Sequence, residues 1–168
     1  MSAQKIFDAA PLGAILAFSD GTSRPPARFS KKLAAWERSN GKGRLVRKMP
    51  ACTRGNFICP ANITLHESDF ASGGVIVLTV HRTHNLDSPL NFEVMSLPKS
   101  GSWRVVQPYG DTVELLHITA DRAEAEAWLA GKRYSGARIE PVADLGPEIT
   151  AMPPDARTQS TTVREAIS

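Results

Sequence analysis

The sequence predicts an α+β fold, a mixed sheet with packed helices in a single domain over residues 1–145, followed by a mobile tail over 146–168. Three observations carry this expectation. Apolar runs of strand length stand at 14–18 and 75–80. Segments of helical period stand at 30–40 and 121–133. Pro, Gly, Asp and Ser turns separate the runs between them. At 168 residues and 42% hydrophobic content, the chain is long enough to bury a real core.

Ala14, Ile15, Leu16, Ala17 and Phe18 read as the first strand. Asp20-Gly21-Thr22-Ser23-Arg24 follows, then a basic helix. A glycine turn that delivers a helix N-terminus beside arginines suits phosphate, because first-turn N–H groups, the helix dipole and guanidinium charge all favour an anion. Gly21, Thr22, Ser23, Arg24 and Arg28 are therefore the candidate phosphate-binding residues. A plain strand-to-helix turn is the competing reading.

Pro25-Pro26 permits a helix start. The helix is expected from Ser30, an N-cap residue, to Asn40, with Gly41 stopping it. Phe29, Leu33 and Trp36 recur at helical spacing and are assigned to the core, Trp36 as an anchor, leaving Lys31, Lys32 and Arg38 outward. Gly41-Lys42-Gly43 reads as a flexible basic hinge leading into a short strand, Arg44 to Arg47. The Walker spacing is missing there, which rejects a P-loop.

A short strand is expected at 63–65. Gly73-Gly74 then launches Val75-Ile76-Val77-Leu78-Thr79-Val80, assigned as a central strand buried on both faces. Further strands are expected at 90–97, 103–106 and 113–118. Asp121 caps a second helix, with Glu124 completing a capping box, and Ala123, Ala127 and Trp128 give it an apolar side. From Gly146 the chain turns rich in Pro, Thr and Ser.

The net charge of +3 hides an asymmetry. Through Pro60 eleven Lys or Arg stand against three acids, a surplus of eight, so the remainder carries −5. A basic half on a near-neutral protein is the footprint of a polyanion-binding face. Arg28, Lys31, Lys32, Lys42, Arg44, Arg47 and Lys48 are the candidate nucleic-acid contacts; a solvated surface is the bland alternative.

No segment approaches the ~20 apolar residues of a membrane span, and the N-terminus lacks a signal-peptide pattern, so a cytoplasmic protein without membrane insertion is expected. Cys52 and Cys59 lack the partners of a zinc site and read as inert thiols. Asn62-Ile63-Thr64 matches a glycosylation pattern by coincidence in that setting. His81 and His84, three apart on one strand, point to opposite faces. For them, and for His66, Glu67 and Asp69, a hydrogen-bonding role at a strand end is the default. No nucleophile elbow is present.

The order of strand, Asp20-Gly21-Thr22-Ser23-Arg24 and helix resembles the D-G-x-x-R segment of the ParB/sulfiredoxin superfamily. The run of the globular part, including Arg28-Phe29-Ser30-Lys31-Lys32-Leu33 and Gly43-Arg44-Leu45-Val46-Arg47-Lys48, resembles plasmid fertility-inhibition factors of the oncogenic-suppression (Osa) type. The resemblance implies a ParB/sulfiredoxin-like fold with ATPase and DNase activity, directed at transferred plasmid or tumour-inducing DNA. Ser23 stands where that superfamily has His or Cys, or a Glu before Arg-Arg, which removes sulfiredoxin-type cysteine chemistry, and Pro25-Pro26 displaces the helix from Arg24.

Two functions follow as expectations. In the first, a nucleotide-dependent nuclease uses ATP and a divalent metal, Mg²⁺, with Asp20 as metal ligand and Arg24 as the catalytic cation. A second acid, Glu93 or Asp111, would have to converge on Asp20. In the second, a non-catalytic DNA- or protein-binding inhibitor blocks a conjugation or type IV secretion component through the same basic face.

Overall fold

The computed structural model describes residues 1–143, and the tail expected over 146–168 lies outside them. The elements run α1 (Ala3–Ala9), β1 (Ile15–Ser19), α2 (Ser30–Ser39), β2 (Gly41–Met49), β3 (Cys52–Arg54), β4 (Phe57–Cys59), β5 (Asn62–Ser72), β6 (Val75–Asn85), β7 (Asn91–Ser96), β8 (Trp103–Tyr109), β9 (Thr112–Thr119), α3 (Arg122–Ala130) and β10 (Arg138–Pro141). Eight of these strands form one sheet that curls into a half-barrel, while β3 and β4 make a separate hairpin.

The fold class expected from the sequence is corrected here. In place of a ParB/sulfiredoxin-like mixed sheet with packed helices, the described residues form a mainly antiparallel β structure. The turns explain this. Glycines with positive φ at Gly55, Gly73, Gly74 and Gly110 close two-residue connections between β3 and β4, β5 and β6, and β8 and β9. Such turns join antiparallel neighbours, whereas parallel strands need long crossovers. The helices are too short to form a layer: α1 buries Ala3 and Ile6, α3 buries Ala125, and α2 buries nothing.

β2 is the branch point. One of its edges pairs with β1 over Gly41 to Arg44 and then with β9 at Arg47, while the other pairs with β5. The register with β5 shifts between Leu45 and Arg47, leaving Val46 as an extra residue where the two partners on the first edge change over. Val46 turns into a small cluster with Val106 and Leu115. The main core lies on one face of the sheet, where α1 sets Ala3, Ile6 and Ala10 against Leu16, Phe18, Leu45, Ile63, Leu65 and Phe92. Ser2 caps α1 by accepting from the Lys5 N–H.

Two local expectations also change. Gly41 and Gly43 are strand residues rather than a hinge, and close approach requires them. A Cβ on Gly41 would lie 2.8 Å from the Phe18 ring, and one on Gly43 would lie 2.9 Å from the His66 carbonyl oxygen. β6 is an edge strand, since among the described residues it pairs with β5 alone. Its Val75, Ile76, Val77 and Leu78 are exposed at 64%, 57%, 65% and 56%, so the most apolar run of the chain is not a buried central strand.

Candidate nucleic-acid interface

Asp20 to Arg24 forms a loop whose polar groups are largely spent on one another. The Asn40 side chain stands at the centre. Its Oδ1 accepts from Ser19 Oγ at 2.7 Å and from the Asp20 N–H at 3.3 Å, and its Nδ2 donates to Asp20 Oδ1 at 3.0 Å and to the Trp36 carbonyl at 2.9 Å. Asp20 Oδ1 also accepts from the Thr22 N–H at 2.9 Å and the Thr22 hydroxyl at 2.7 Å. The Gly21 N–H donates to Ser19 Oγ at 2.9 Å. This is an Asx-type turn, in which a short side chain replaces a backbone partner.

These bonds bear on the phosphate reading. The amides of Gly21 and Thr22 already have internal acceptors, so the loop does not offer them to an anion. Thr22's hydroxyl and N–H, then Asn40, hold Asp20 below the usual carboxylate range. Of the two acids considered as its companions, Asp111 lies in the turn between β8 and β9. That turn adjoins the C-terminal end of β2, where Thr112 Oγ1 donates to Met49 Sδ. Asp20 is tied through Asn40 to the opposite end of β2, so the two acids do not meet. Glu93 sits on β7 opposite Ala17. Among the described residues, no three His, Cys, Asp or Glu side chains gather as a metal-binding group.

The loop is nonetheless a lock that fixes α2. The Trp36 indole Nε1 donates to the Thr22 carbonyl at 3.0 Å, so Trp36 fastens the loop from a half-buried position rather than anchoring the core. Leu33 is likewise half-buried, and Phe29 is exposed at 43%. Phe29, not Ser30, is the N-cap residue, and it makes no side-chain capping bond. The first turn of α2 therefore begins with open N–H groups, contains no acid, and carries Lys31 and Lys32. Cations at the positive end of a helix are unfavourable by themselves and favourable to an anionic partner.

The basic residues sort into two sets. Arg24, Arg28, Lys31, Lys32, Lys42 and Arg44 are exposed. Arg24 has a long contact with Glu37 at 4.0 Å on the open surface, and the cations of Arg28 and Lys32 sit 4.9 and 5.5 Å from the centre of the Phe29 ring. Arg47 and Lys48 have internal duties instead. Arg47 bonds Glu114 at 3.2 Å and Thr64 at 3.3 Å, and lies 3.9 Å over the Tyr109 ring. Lys48 Nζ donates to the Phe7 carbonyl at 2.6 Å, and burial lowers its pKa. Period-2 alternation in β2, broken by the extra Val46, separates the sets; that break has no obvious sign in the sequence.

The remaining polar clusters lie elsewhere on the sheet. His66 Nε2 meets Asp69 Oδ1 at 3.0 Å, and the His66 and His81 rings stand edge to face at 5.6 Å. His84 points to the opposite face, packed between Phe18 and Phe92 with its Nε2 unbonded. Burial is the main cause that lowers the His84 pKa, with Arg82 adding to it.

This gives a pH dependence with a definite sign. Below the ordinary histidine pKa of about 6.5 the unfolded chain binds a proton that folded His84 resists, so stability falls as pH falls. Denaturant unfolding should show that loss between about pH 7 and 5, with a slope of up to about 1.4 kcal/mol per pH unit from this residue. His84→Phe should flatten the slope. His81 and His117, also lowered chiefly by desolvation, contribute with the same sign.

The fold and the interface together define a half-barrel β domain with a basic loop-and-helix arm held at one end. Residues 1–145 match the model of a family described as uncharacterised conserved protein UCP036055, and the chain belongs to that family. No curated protein and no solved structure matches it. No helix of the described residues is long and apolar enough to cross a membrane.

Proposed function

We propose that this protein binds nucleic acid, without reading its sequence, through the arm formed by residues 20–44. The carrying observation is that α2 buries no residue and yet is locked in place, with exposed cations around an exposed aromatic ring. The outer face of this helix is therefore open to a partner outside the fold. Over residues 20–44 seven Lys or Arg stand against Asp20 and Glu37, which supplies the counterion-releasing contacts of backbone binding. Phe29 between two cations is a stacking surface for an unpaired base, which favours single strands.

The resemblance to plasmid fertility-inhibition factors would make the physiological target DNA undergoing conjugative transfer, or a component that handles it. Arg24 and Arg28 then act as phosphate contacts, and Asp20 as the loop lock.

Binding of a labelled oligonucleotide, followed by anisotropy over a salt series, tests the proposal. Affinity should fall steeply with salt. Reversing Arg28, Lys31 and Lys32 to Glu should weaken binding by tenfold or more at low salt and leave the melting temperature nearly unchanged, because all three are exposed. A flat salt response, or unaltered binding by the triple variant, refutes it. Supercoiled plasmid incubated with ATP and Mg²⁺ is the companion assay: retention of the supercoiled form fits a binder, and nicking would assign a nucleotide-dependent nuclease instead.

A further inference from the structure

We propose that the outer edge of β6 is a self-association surface, pairing antiparallel with β6 of a second copy about a two-fold axis. This inference is independent of nucleic-acid binding. The free edge of β6 presents backbone N–H and C=O groups with no strand beside them among the described residues, and a backbone edge of that kind is complemented by another strand. The side chains there are apolar on a scale that water does not favour. Val75 to Leu78 are all more than half exposed, and Phe70, opposite Leu78 on β5, is exposed at 55%.

Charge selects the occupant. Val75-Ile76-Val77-Leu78-Thr79-Val80 carries no ionisable group, so an incoming charged strand finds no counter-charge along it. The segment suits its own copy. With the axis at Leu78, the uncharged residues 76–80 face one another, while His81 of each chain stands opposite Val75 and Arg82 opposite Gly74 of the other. Sliding the axis toward Arg82 would oppose Arg82 to itself, and like charges directly opposite disfavour that register. Self-pairing within the neutral stretch keeps like charges apart, and a two-fold contact closes on itself rather than growing a fibre. It joins two half-barrels through one continuous sheet and covers the β6 edge of each.

Light-scattering mass measurement on the full chain, free of nucleic acid and over a concentration series, tests this directly. The expected result is a two-chain mass that gives way to the one-chain mass on dilution. Val77→Lys and Leu78→Lys, both at exposed positions, should give the one-chain mass with an unchanged circular dichroism spectrum. In a Cys52→Ser, Cys59→Ser background, Leu78→Cys, which the axis sets against its own mate, should cross-link under mild oxidation, whereas Met95→Cys, exposed on β7, should not. A one-chain mass at every concentration overturns the proposal, as do Lys variants that stay paired. Open-ended assemblies overturn it too, and so does a one-chain protein that instead floats with lipid vesicles.

Discussion

Replacing Arg47 by alanine should destabilise the fold by about 3–5 kcal/mol, the cost of leaving one partner of a buried ion pair alone. The Arg47 and Glu114 side chains keep only 16% and 13% of their exposure, and their bond is the point where β2 meets β9. The variant strands Glu114, whose remaining side-chain donor is Gln107 Nε2 at 3.3 Å, and removes the guanidinium from the Tyr109 ring and from Thr64. Urea unfolding of the variant measures the loss. Because Arg47 belongs to the basic run of the sequence, the same variant separates two roles. A folded protein of native stability with weakened nucleic-acid binding would make Arg47 a surface contact and contradict the structure. A double variant, Arg47→Met with Glu114→Gln, should recover part of the stability by removing the uncompensated charge.

Gly43→Val should cost about 3 kcal/mol or more, at the upper end of what overpacking produces. The added Cβ would lie 2.9 Å from both the His66 carbonyl oxygen and the Leu65 Cβ. A carbonyl oxygen in a strand cannot retreat without opening the pairing of β2 with β5. The strand φ of Gly43 is not in the left-handed region, so the penalty is steric crowding and not backbone strain. Alanine at the same place should cost less but still lower the melting temperature measurably. By contrast, Gly21→Ala meets no atom within 4 Å yet carries a φ of 79°, so any loss there would be conformational.

The contrast with Gly43 shows what the sequence made legible. Strand β1, helix α2 and helix α3 were visible because period and capping are local: Asp121 Oδ1 accepts from the Glu124 N–H at 2.8 Å, and Glu124 returns to the Ala120 N–H at 3.0 Å. A close approach between strands is not local, so Gly41 and Gly43 resembled a hinge. The apolar run of β6 misled for a related reason, since hydrophobicity reports that a surface wants covering and not that this chain covers it. Helix α1 was missed although Ser2, Ala3, Ile6 and Ala10 carry the signal of a capped amphipathic turn. The Gly-rich two-residue turns, which favour hairpins, decide the fold class against two short helices and a loop motif that suit an α+β fold equally well. Of the candidate interface, the exposed cations of the arm were legible as charge, whereas the withdrawal of Arg47 and Lys48 depended on the shift at Val46.

The branch at β2 also sets an order of assembly. The β5–β6 and β8–β9 hairpins close over two-residue turns and can form within microseconds of one another. The β1–β7 ladder, with Phe18 opposite Phe92, and the Arg47–Glu114 bridge each wait for a long loop to close, a step that slows folding of non-local β proteins. Until β2 is seated between β1, β5 and β9, neither side of the half-barrel has a floor. During that interval the β5–β6 hairpin already displays its apolar edge, so slow closure at the middle of the sheet lengthens the exposure of the strand at its margin. Refolding yield should therefore fall as protein concentration rises, and faster than the slow step alone would dictate.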